Sequence, residues 1–392
     1  MSGMHDLGHR STLPSMRVLH IANWYPHPDA PHEAPFVQRH VAALRPYGDQ
    51  VVWHIAVRPG RAWSWVRSGG PADRTSILNV RTKKWHAIEW LTLLLVVHAW
   101  ITRDRSARFD AIVLVIAYPL AVHWRILRRL FGVPVLISEH WSAYHSDFRS
   151  TSPGLERTRR IFTPDLPVVC VSNALGNDIA RFARRNDLDL RIIPNIVDTT
   201  RFHPERDTRP IAGRFFAISG WRRPKRPETL VLAMERLCEM GLDVHLTIAG
   251  DGPLMPEIRA LVEAHGLGQR IDLPGRLGPE RAARGMREAH AFLHCSDYET
   301  YSVVCAEALC CGTPVFASAV GGIPEFVHAG NGMLLPDNAP ETWALRIRED
   351  WDRALGMDRK EIAGAMMARS SAASVGERYA QVIQSCIGDR RP

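Results

Sequence analysis

The stretch E-T-Y-S-V-V-C-A-E-A-L-C-C-G-T-P-V, residues 299–315, decides how the rest of the chain is interpreted. It opens with Glu299, and a second glutamate, Glu307, follows after seven mostly small or apolar residues. Gly312 and Pro314 then predict the end of a helix. If that helix begins near Thr300, Glu307 lies about two turns in, and the offset between the glutamates spans about 12 Å.

The start of this helix is a candidate anion-binding site. The backbone N–H groups of Tyr301, Ser302 and Val303 would have no partner within the helix and could bind an anion. Residues 292–295 before it and 314–317 after it predict short buried strands. Ligands of such α/β units bind at the carboxyl ends of the strands. The alternative is an amphipathic helix with two surface glutamates.

Four further segments, together with this stretch, resemble one enzyme family in the expected order. They are S-E-H-W at residues 138–141, I-P-N-I-V-D at 193–198, L-T-I-A-G-D-G-P at 246–253 and G-G-I-P-E at 321–325. With the E-x7-E pattern, they are similar to the retaining glycosyltransferases of family 4, also called glycosyl transferases group 1. The resemblance implies an α/β fold named GT-B, with two Rossmann-like, doubly wound parallel-sheet domains facing a cleft.

The resemblance also implies roles for the two glutamates. Glu299 is expected to hold hydroxyls of the donor sugar, and Glu307 to accept hydrogen bonds from the ribose of the nucleotide. A carboxylate suits a vicinal diol because its oxygens accept several hydrogen bonds. Whether the transfer proceeds by front-face attack or through a covalent intermediate stays open, although front-face attack fits a site without a second positioned carboxylate.

Cations for the leaving diphosphate lie in G-W-R-R-P-K-R, residues 220–226. Lys225 best matches the family's lysine, and Arg222 is the closest replacement for its arginine. Arg223 and Arg226 are alternatives, because Trp221 departs from the family pattern and the loop is one residue shorter.

Other positions are assigned by the same resemblance. His140, at the end of a predicted strand, is expected to contact the donor sugar from the first domain. Backbone contacts to the nucleotide are expected at Gly220, Gly252, Gly275, Arg276 and Leu277.

Two departures from the family concern glycine. Family members usually have a glycine-rich loop after the first strand, but residues 17–47 contain no glycine. The loop there is stiff and aromatic, so Trp24 and His27 are expected to shape the acceptor pocket instead. The second departure is Ser302, where the family often has glycine.

Apolar runs at residues 16–22, 51–57 and 111–116 are typical of parallel strands covered on both faces. The predicted organisation has five parts: a disordered lead-in over 1–15, an acceptor domain over 16–198, a linker over 199–213, a nucleotide-sugar domain over 214–373, and a final helix, about 374–392, that returns to the first domain.

Composition narrows the class of protein. Lys and Arg outnumber Asp and Glu by 49 to 41, which gives a net charge of +8. No pattern of interleaved aromatic and basic residues accompanies this charge, so nucleic acid is not expected as a partner. The seven cysteines lack C-x-x-C spacing and predict buried thiols in a cytoplasmic protein. Asp187 and Asp189 are interpreted as a solvated loop, and neither a metal nor a cofactor is expected.

Residues 85–101, W-H-A-I-E-W-L-T-L-L-L-V-V-H-A-W-I, are too short and too polar to span a membrane. Two interpretations stay open. The stretch is either a buried helix of the first domain or an interfacial helix, because its tryptophans and the flanking Arg81, Lys83, Lys84 and Arg103 suit an anionic membrane surface.

The sequence therefore predicts a cytoplasmic retaining glycosyltransferase, with a peripheral location on the inner membrane face as the open alternative. Its donor would be a UDP- or GDP-sugar, and its acceptor a lipid-linked or polysaccharide glycan. The alternative functions are a nucleotide-sugar epimerase, a sugar phosphorylase, or a catalytically idle membrane-associated scaffold.

Overall fold

The computed structural model describes residues 13–27, 30, 33–60, 62–69, 73–82, 84–104, 108–145, 153–206 and 208–388. Most of the predicted lead-in, and Lys83 beside the candidate interfacial helix, lie outside the described residues. The chain divides into two compact units. The first comprises Met1–Cys170, Gly176–Ile193 and Val375–Pro392, and the second comprises Val171–Leu175 and Pro194–Ser374.

The first unit is built on an eight-stranded sheet. Its strands are β1 (Val18–Ala22), β2 (Gln50–Pro59), β3 (Ser64–Gly69), β4 (Asp73–Val80), β5 (Ala111–Val115), β6 (Val135–Glu139), β7 (Val168–Cys170) and β8 (Leu190–Ile192). The helices in this part of the chain are α1 (Pro35–Leu44), α2 (Trp85–Ile101), α3 (Trp124–Phe131), α4 (Pro153–Arg159) and α5 (Asn173–Ala183). The strands lie in the order β3-β4-β2-β1-β5-β6-β7-β8.

The centre of this sheet confirms the predicted parallel strands. Every residue of β1 and β5 is buried, as the continuous apolar runs indicated. β1 pairs in parallel with β2 on one side and with β5 on the other. The chain thus winds outward in both directions from β1, and the carboxyl ends of β1 and β5 form a switch point of the kind where α/β sheets bind ligands.

The hairpin of β3 and β4 was not predicted. β3 pairs antiparallel with β4 at the edge of the sheet. Most of its residues are exposed, so it lacks the apolar run by which the central strands were recognised. The hairpin is held partly by side chains, because Trp65 Nε1 donates a hydrogen bond to Ser76 Oγ at 2.8 Å.

The second unit has a six-stranded, entirely parallel sheet in the order β11-β10-β9-β12-β13-β14. Its strands are β9 (Arg214–Gly220), β10 (His245–Asp251), β11 (Ile271–Gly275), β12 (Ala291–His294), β13 (Val315–Ser318) and β14 (Gly332–Leu335). Its helices are α6 (Pro227–Glu239), α7 (Met255–Ala264), α8 (Pro279–Glu288), α9 (Val303–Cys310), α10 (Pro340–Glu349), α11 (Trp351–Gly356) and α12 (Arg359–Ser370), and α13 (Ala372–Gly388) follows.

The boundary between the units differs from the predicted linker over 199–213. The second unit begins at Pro194, so those residues belong to it. Arg287 of α8 explains why, because its guanidinium donates hydrogen bonds to the carbonyl oxygens of Arg201 and His203, each at 3.2 Å. Composition rich in Pro, Arg and Asp indicated a linker but could not reveal this anchoring.

Candidate functional site

The Glu299 stretch forms the expected strand, loop and helix, but the helix starts later than predicted. α9 begins at Val303, because Ser302 before it has φ 70° and ψ 82°, in the left-handed region. That conformation costs a serine free energy that glycine would not lose, which accounts for glycine in the family at this position. Glu307 therefore lies about one turn into α9, rather than two.

This shorter helix changes the candidate anion site. Of the three predicted N–H groups, only that of Val303 belongs to the first turn of α9. The Tyr301 side chain is buried, and its hydroxyl hydrogen-bonds Ser370 Oγ at 2.8 Å. Ser302 Oγ hydrogen-bonds Cys305 Sγ at 3.1 Å. The side chains of Tyr301 and Ser302 therefore hold the loop in place.

Glu299 meets Lys225 and His294 at a single carboxylate oxygen. Lys225 Nζ forms an ion pair and hydrogen bond with Glu299 Oε1. His294 Nε2 lies 2.6 Å from the same oxygen. Lys225 follows β9 and His294 ends β12, and these strands are neighbours in the sheet. The three side chains thus converge at the carboxyl ends of adjacent parallel strands.

The protonation states in this cluster follow from burial and charge. Burial alone would raise the pKa of the Glu299 carboxyl, but Lys225 and then His294 outweigh it and lower that pKa to about 2. Burial lowers the pKa of His294 in spite of the neighbouring carboxylate. Glu299 is therefore an anion at neutral pH, and neutral His294 must carry its proton on Nε2 to donate to it.

The sequence alone gives His294 no role. It predicts this residue only as part of a short apolar strand, and the side chain is 1% exposed. The available signal was its position at the last residue of that strand, where side chains reach the ligand-binding edge of an α/β sheet.

The three arginines of the 220–226 loop do not pair with Glu299. Arg223 pairs with Glu228 at 2.5 Å, and Arg226 pairs with Asp297 at 2.7 Å. Arg222 is exposed and makes no ion pair within the part of the chain that the structure describes. Among the ion pairs of these four cations, the pair with Glu299 is made by Lys225. The Arg222 guanidinium is exposed and available for a ligand.

Trp221 is a structural residue of this loop. It is 1% exposed, and its Nε1 donates to the Ala249 carbonyl oxygen at 2.7 Å. Gly252 packs directly on it, because a Cβ there would lie 2.4 Å from the Trp221 carbonyl oxygen. Trp221, which departs from the family pattern, thus connects the end of β9 to the end of β10 and the turn after it.

The glycine pair of the G-G-I-P-E segment holds Glu299 from the other side. A Cβ on Gly321 would lie 1.7 Å from the Glu299 carbonyl oxygen, and one on Gly322 would lie 2.4 Å from that of Thr300. The Gly322 N–H donates to the Glu299 carbonyl oxygen at 3.0 Å. Glycine is therefore needed at positions 321 and 322, because any side chain there would clash with the backbone of Glu299 and Thr300.

The remaining nucleotide-site predictions are spread along the same edge of the second unit. Glu307 is 9% exposed in α9. Gly220 and Gly275 end β9 and β11, and a Cβ on either would meet nothing within 4 Å. Arg276 Nε lies 3.4 Å from Asp251 Oδ2. Leu277 instead lines a groove beside α8, together with Phe216 and Arg281.

In the first unit, Glu139 organises the end of β6. This fully buried carboxylate accepts hydrogen bonds from the backbone N–H groups of Ala117, His140 and Trp141, each at 2.9 Å. His140 is half-buried, with Nε2 at 3.1 Å from Ser138 Oγ and its ring 4.6 Å from that of Phe36. His140 and Glu299 belong to different units.

The first unit also has a pocket of about 550 Å³ at the carboxyl ends of its central strands. Its lining residues come from the last residues of β2, from the loops after β1, β5 and β6, and from the first turn of α2. The lining residues are Asn23, Trp24, Val57, Arg58, Pro59, Trp85, Ile88, Tyr118, Pro119 and Trp141.

One of the two predicted acceptor residues lines this pocket. Trp24 does so, with its ring 5.6 Å from that of Trp141. His27 does not line it, since it is buried with its ring 5.3 Å from that of His54 and its Nε2 3.2 Å from Glu33. The sequence missed Trp85, Tyr118 and Trp141, although Tyr118 and Trp141 each follow the end of a predicted strand.

Helix α2 has one buried face and one exposed face. One face is buried, including Ile88, Leu93 and Val96. The other face exposes Trp90, Leu94 and Ile101 by 54%, 59% and 53%. These three residues, here called the apolar stripe of α2, share one side of the helix because they recur at intervals of four and seven.

No group of three or more His, Cys, Asp or Glu residues suited to a metal ion occurs among the residues that the structure describes. Asp187 and Asp189 pair instead with Arg185 and Arg191. All seven cysteines are free thiols, and six of them are buried. No helix in the described ranges is both long enough and apolar enough to cross a membrane.

Residues 206–351 match the family model described as Glycosyl transferases group 1. A Mycobacterium tuberculosis protein named GDP-mannose-dependent alpha-(1-6)-phosphatidylinositol dimannoside mannosyltransferase is 28% identical over 238 residues, covering 54% of this chain and 59% of that protein. The phosphatidylinositol N-acetylglucosaminyltransferase GPI3 subunit of Saccharomyces cerevisiae is 28% identical over 172 residues, covering 40% of this chain and 36% of that protein. The matches thus span less than two thirds of either relative.

Solved structures match along nearly the whole chain. Anabaena HepE, solved in complex with UDP, has a TM-score of 0.70 at 15% identity, covering 94% of this chain and 100% of that one. Sucrose-phosphate synthase from Thermosynechococcus elongatus has a TM-score of 0.71 at 21% identity, covering 95% and 100%. These similarities, together with the two predominantly parallel sheets, confirm the predicted GT-B fold.

Proposed function

We propose that the chain transfers a sugar, with retention, from a nucleotide-sugar, because residues 206–351 match the glycosyl transferases group 1 family model and the chain has the GT-B fold. The acceptor is a lipid-linked or polysaccharide glycan. The observation that carries the proposal is the meeting of Lys225, His294 and Glu299 at the carboxyl ends of neighbouring strands.

Lys225 is proposed to stabilise the leaving diphosphate. When the anomeric C–O bond breaks, negative charge grows on the phosphate, and a positioned cation lowers the barrier by stabilising that charge. Lys225 is paired with Glu299 and half-buried, so its ammonium group already lies at the ligand-binding edge of the sheet. Exposed Arg222 would add a second cation to the diphosphate.

Glu299 is proposed to orient the donor sugar by accepting hydrogen bonds from its hydroxyls. A carboxyl with a pKa near 2 is a poor general base at neutral pH, so it is not the group that takes the acceptor's proton. With Glu299 in this role, the leaving phosphate is the remaining base, which favours front-face attack.

The nucleotide is proposed to lie along the edge of the second unit formed by β9, β11 and α9. The first-turn N–H of Val303 would face the diphosphate, and Glu307 would accept hydrogen bonds from the ribose hydroxyls. The backbone at Gly275 and Arg276 would border the base. Relatives and neighbours support both a GDP- and a UDP-sugar as donor.

A membrane-resident acceptor is supported by the names of the relatives, which refer to phosphatidylinositol substrates. It is also supported by the apolar stripe of α2. The Trp90 ring lies 4.7 Å from that of His123, which precedes α3, and α3 exposes Arg125, Ile126 and Arg129. Exposed apolar and basic side chains close together suit an anionic bilayer surface.

A thermal-shift screen against UDP, GDP, ADP and their sugar derivatives tests the proposal. A nucleotide at about 100 times its Kd should stabilise the fold by about 2.7 kcal/mol, and Tm should rise accordingly. We expect UDP or GDP to raise Tm and the matching sugar nucleotide to be turned over. If none of these compounds shifts Tm or is consumed, the proposed function is wrong.

A further inference from the structure

The pocket of the first unit is lined mainly by aromatic and aliphatic side chains. Trp24, Trp85, Tyr118 and Trp141 line it together with Ile88, Val57 and two prolines. Two edge-to-face pairs build the aromatic part, because Trp24 lies 5.6 Å from Trp141 and Trp85 lies 5.2 Å from Tyr118. At about 550 Å³ the pocket is in the size range of small-molecule sites.

Two polar side chains that line the pocket, Arg58 and Asn23, already have protein partners. The Arg58 guanidinium is bound by both carboxylate oxygens of Glu33, at 2.6 and 2.8 Å. The Asn23 amide donates to the Tyr118 carbonyl oxygen at 3.5 Å. Burial, and then the Glu89 carboxylate, raise the pKa of the Tyr118 phenol, which stays neutral. An apolar chain would need no hydrogen-bonding partner in this pocket.

The pocket reaches the protein surface at the start of α2. Trp85 lines the pocket, begins α2 and remains 49% exposed. Ile88 lines the pocket one turn later, whereas the apolar stripe lies on another side of the helix and does not line the pocket. A chain that leaves the pocket past Trp85 would therefore pass along an exposed indole.

We infer that this pocket binds the apolar chain, acyl or isoprenoid, of an amphiphilic acceptor. The inference rests on the proposed function and narrows its acceptor class: a lipid-linked sugar is accepted, and a free polysaccharide is not. The glycan head would then extend beyond the pocket at the carboxyl edge of the sheet.

Hexyl, heptyl and octyl β-D-glucosides, titrated calorimetrically below their micelle concentrations into the full chain, test the inference. Each methylene that enters an apolar pocket should tighten binding about fourfold. Glucose alone should give no measurable heat. Trp24→Ala and Trp141→Ala change half-buried residues of the pocket wall and should remove the dependence on chain length, with folding checked by circular dichroism.

Leu94→Gln is the matched control, because Leu94 is exposed on the apolar stripe of α2 and does not line the pocket. It should keep the chain-length dependence. If Leu94→Gln removes that dependence while Trp141→Ala retains it, the chain binds the helix surface and the inference is overturned. Equal affinity for all three glucosides would also overturn it. UDP and GDP are titrated into the same samples. If a nucleotide binds but the glucosides show no dependence on chain length, the pocket inference fails while the proposed function stands.

Discussion

Glu299 and His294 are joined by a hydrogen bond of 2.6 Å, in which a neutral, buried imidazole donates from Nε2 to the carboxylate. Lys225 binds the same oxygen, Glu299 Oε1. His294 therefore fixes the orientation of Glu299 independently of the lysine. If Lys225 turns toward a diphosphate, His294 is the group that keeps the carboxylate in place.

His294→Leu should lower kcat by roughly 10–100-fold, because a misplaced carboxylate no longer orients the donor sugar. The Kd for UDP or GDP should stay nearly unchanged, since Glu299 is proposed to contact the sugar and not the nucleotide. His294→Gln should restore much of kcat, because its amide can donate a similar hydrogen bond. Steady-state kinetics and calorimetry measure both quantities.

His290→Leu is the control for His294. It is equally buried and lies just before the same strand, but it hydrogen-bonds the backbone of Gly213 and Trp351. It should lower Tm with little effect on the kcat of the folded protein. Equal losses of kcat in the two leucine variants would show that His294 is only structural.

Lys225→Ala should lower kcat by about 100-fold or more, with a smaller effect on Tm, because its charge acts on the developing phosphate anion. Arg226→Ala is a suitable comparison, since Arg226 pairs with Asp297 at the protein surface. If Lys225→Ala keeps wild-type turnover while Arg222→Ala or Arg226→Ala loses it, the cation assignment is wrong.

Glu307→Ala should weaken nucleotide binding by about 1–3 kcal/mol, the free energy of a lost hydrogen bond to a charged group. Calorimetric titration with UDP or GDP measures it, and a 2′,3′-dideoxy nucleotide should bind wild type and variant alike. An unchanged Kd for the normal nucleotide in a folded variant would contradict the ribose role.

Substitutions of two adjacent leucines on α2 distinguish an effect on membrane binding from an effect on folding. Leu94 is 59% exposed, so Leu94→Asp should weaken sedimentation with anionic vesicles by about tenfold or more without lowering Tm. Leu93 is 5% exposed, so Leu93→Asp should unfold the first unit by burying an unpaired charge. Wild-type protein that fails to sediment with anionic vesicles at low salt would rule out the membrane partner.

The sequence predicted the fold well because buried parallel strands and glycine-dependent turns leave strong local patterns. The run from Val18 to Ala22 is one such strand, and Gly321 is one such turn residue. Local patterns did not reveal where α9 starts, because Ser302 adopts a left-handed conformation that serine rarely favours. They also did not reveal His294, whose role depends on a neighbour brought close by the loop.

The pocket was only partly predictable for a similar reason. Trp24 was identified from an aromatic loop, but Trp85 and Trp141 reach the same cavity from helix α2 and from the loop after β6, which are distant in sequence. His27 was included because it shares a loop with Trp24, yet it turns toward Glu33. Residues in one loop need not face the same side, and only the tertiary structure decides between them.

The central claim is sugar transfer with retention by a Lys225–Glu299 site. Proton NMR of the new glycosidic bond in the product formed from the preferred UDP- or GDP-sugar tests it most directly. The account predicts release of nucleoside diphosphate and a product with the anomeric configuration of the donor, both lost in Lys225→Ala and reduced in Glu299→Gln. A product of inverted configuration, or unchanged turnover in both variants, would contradict it.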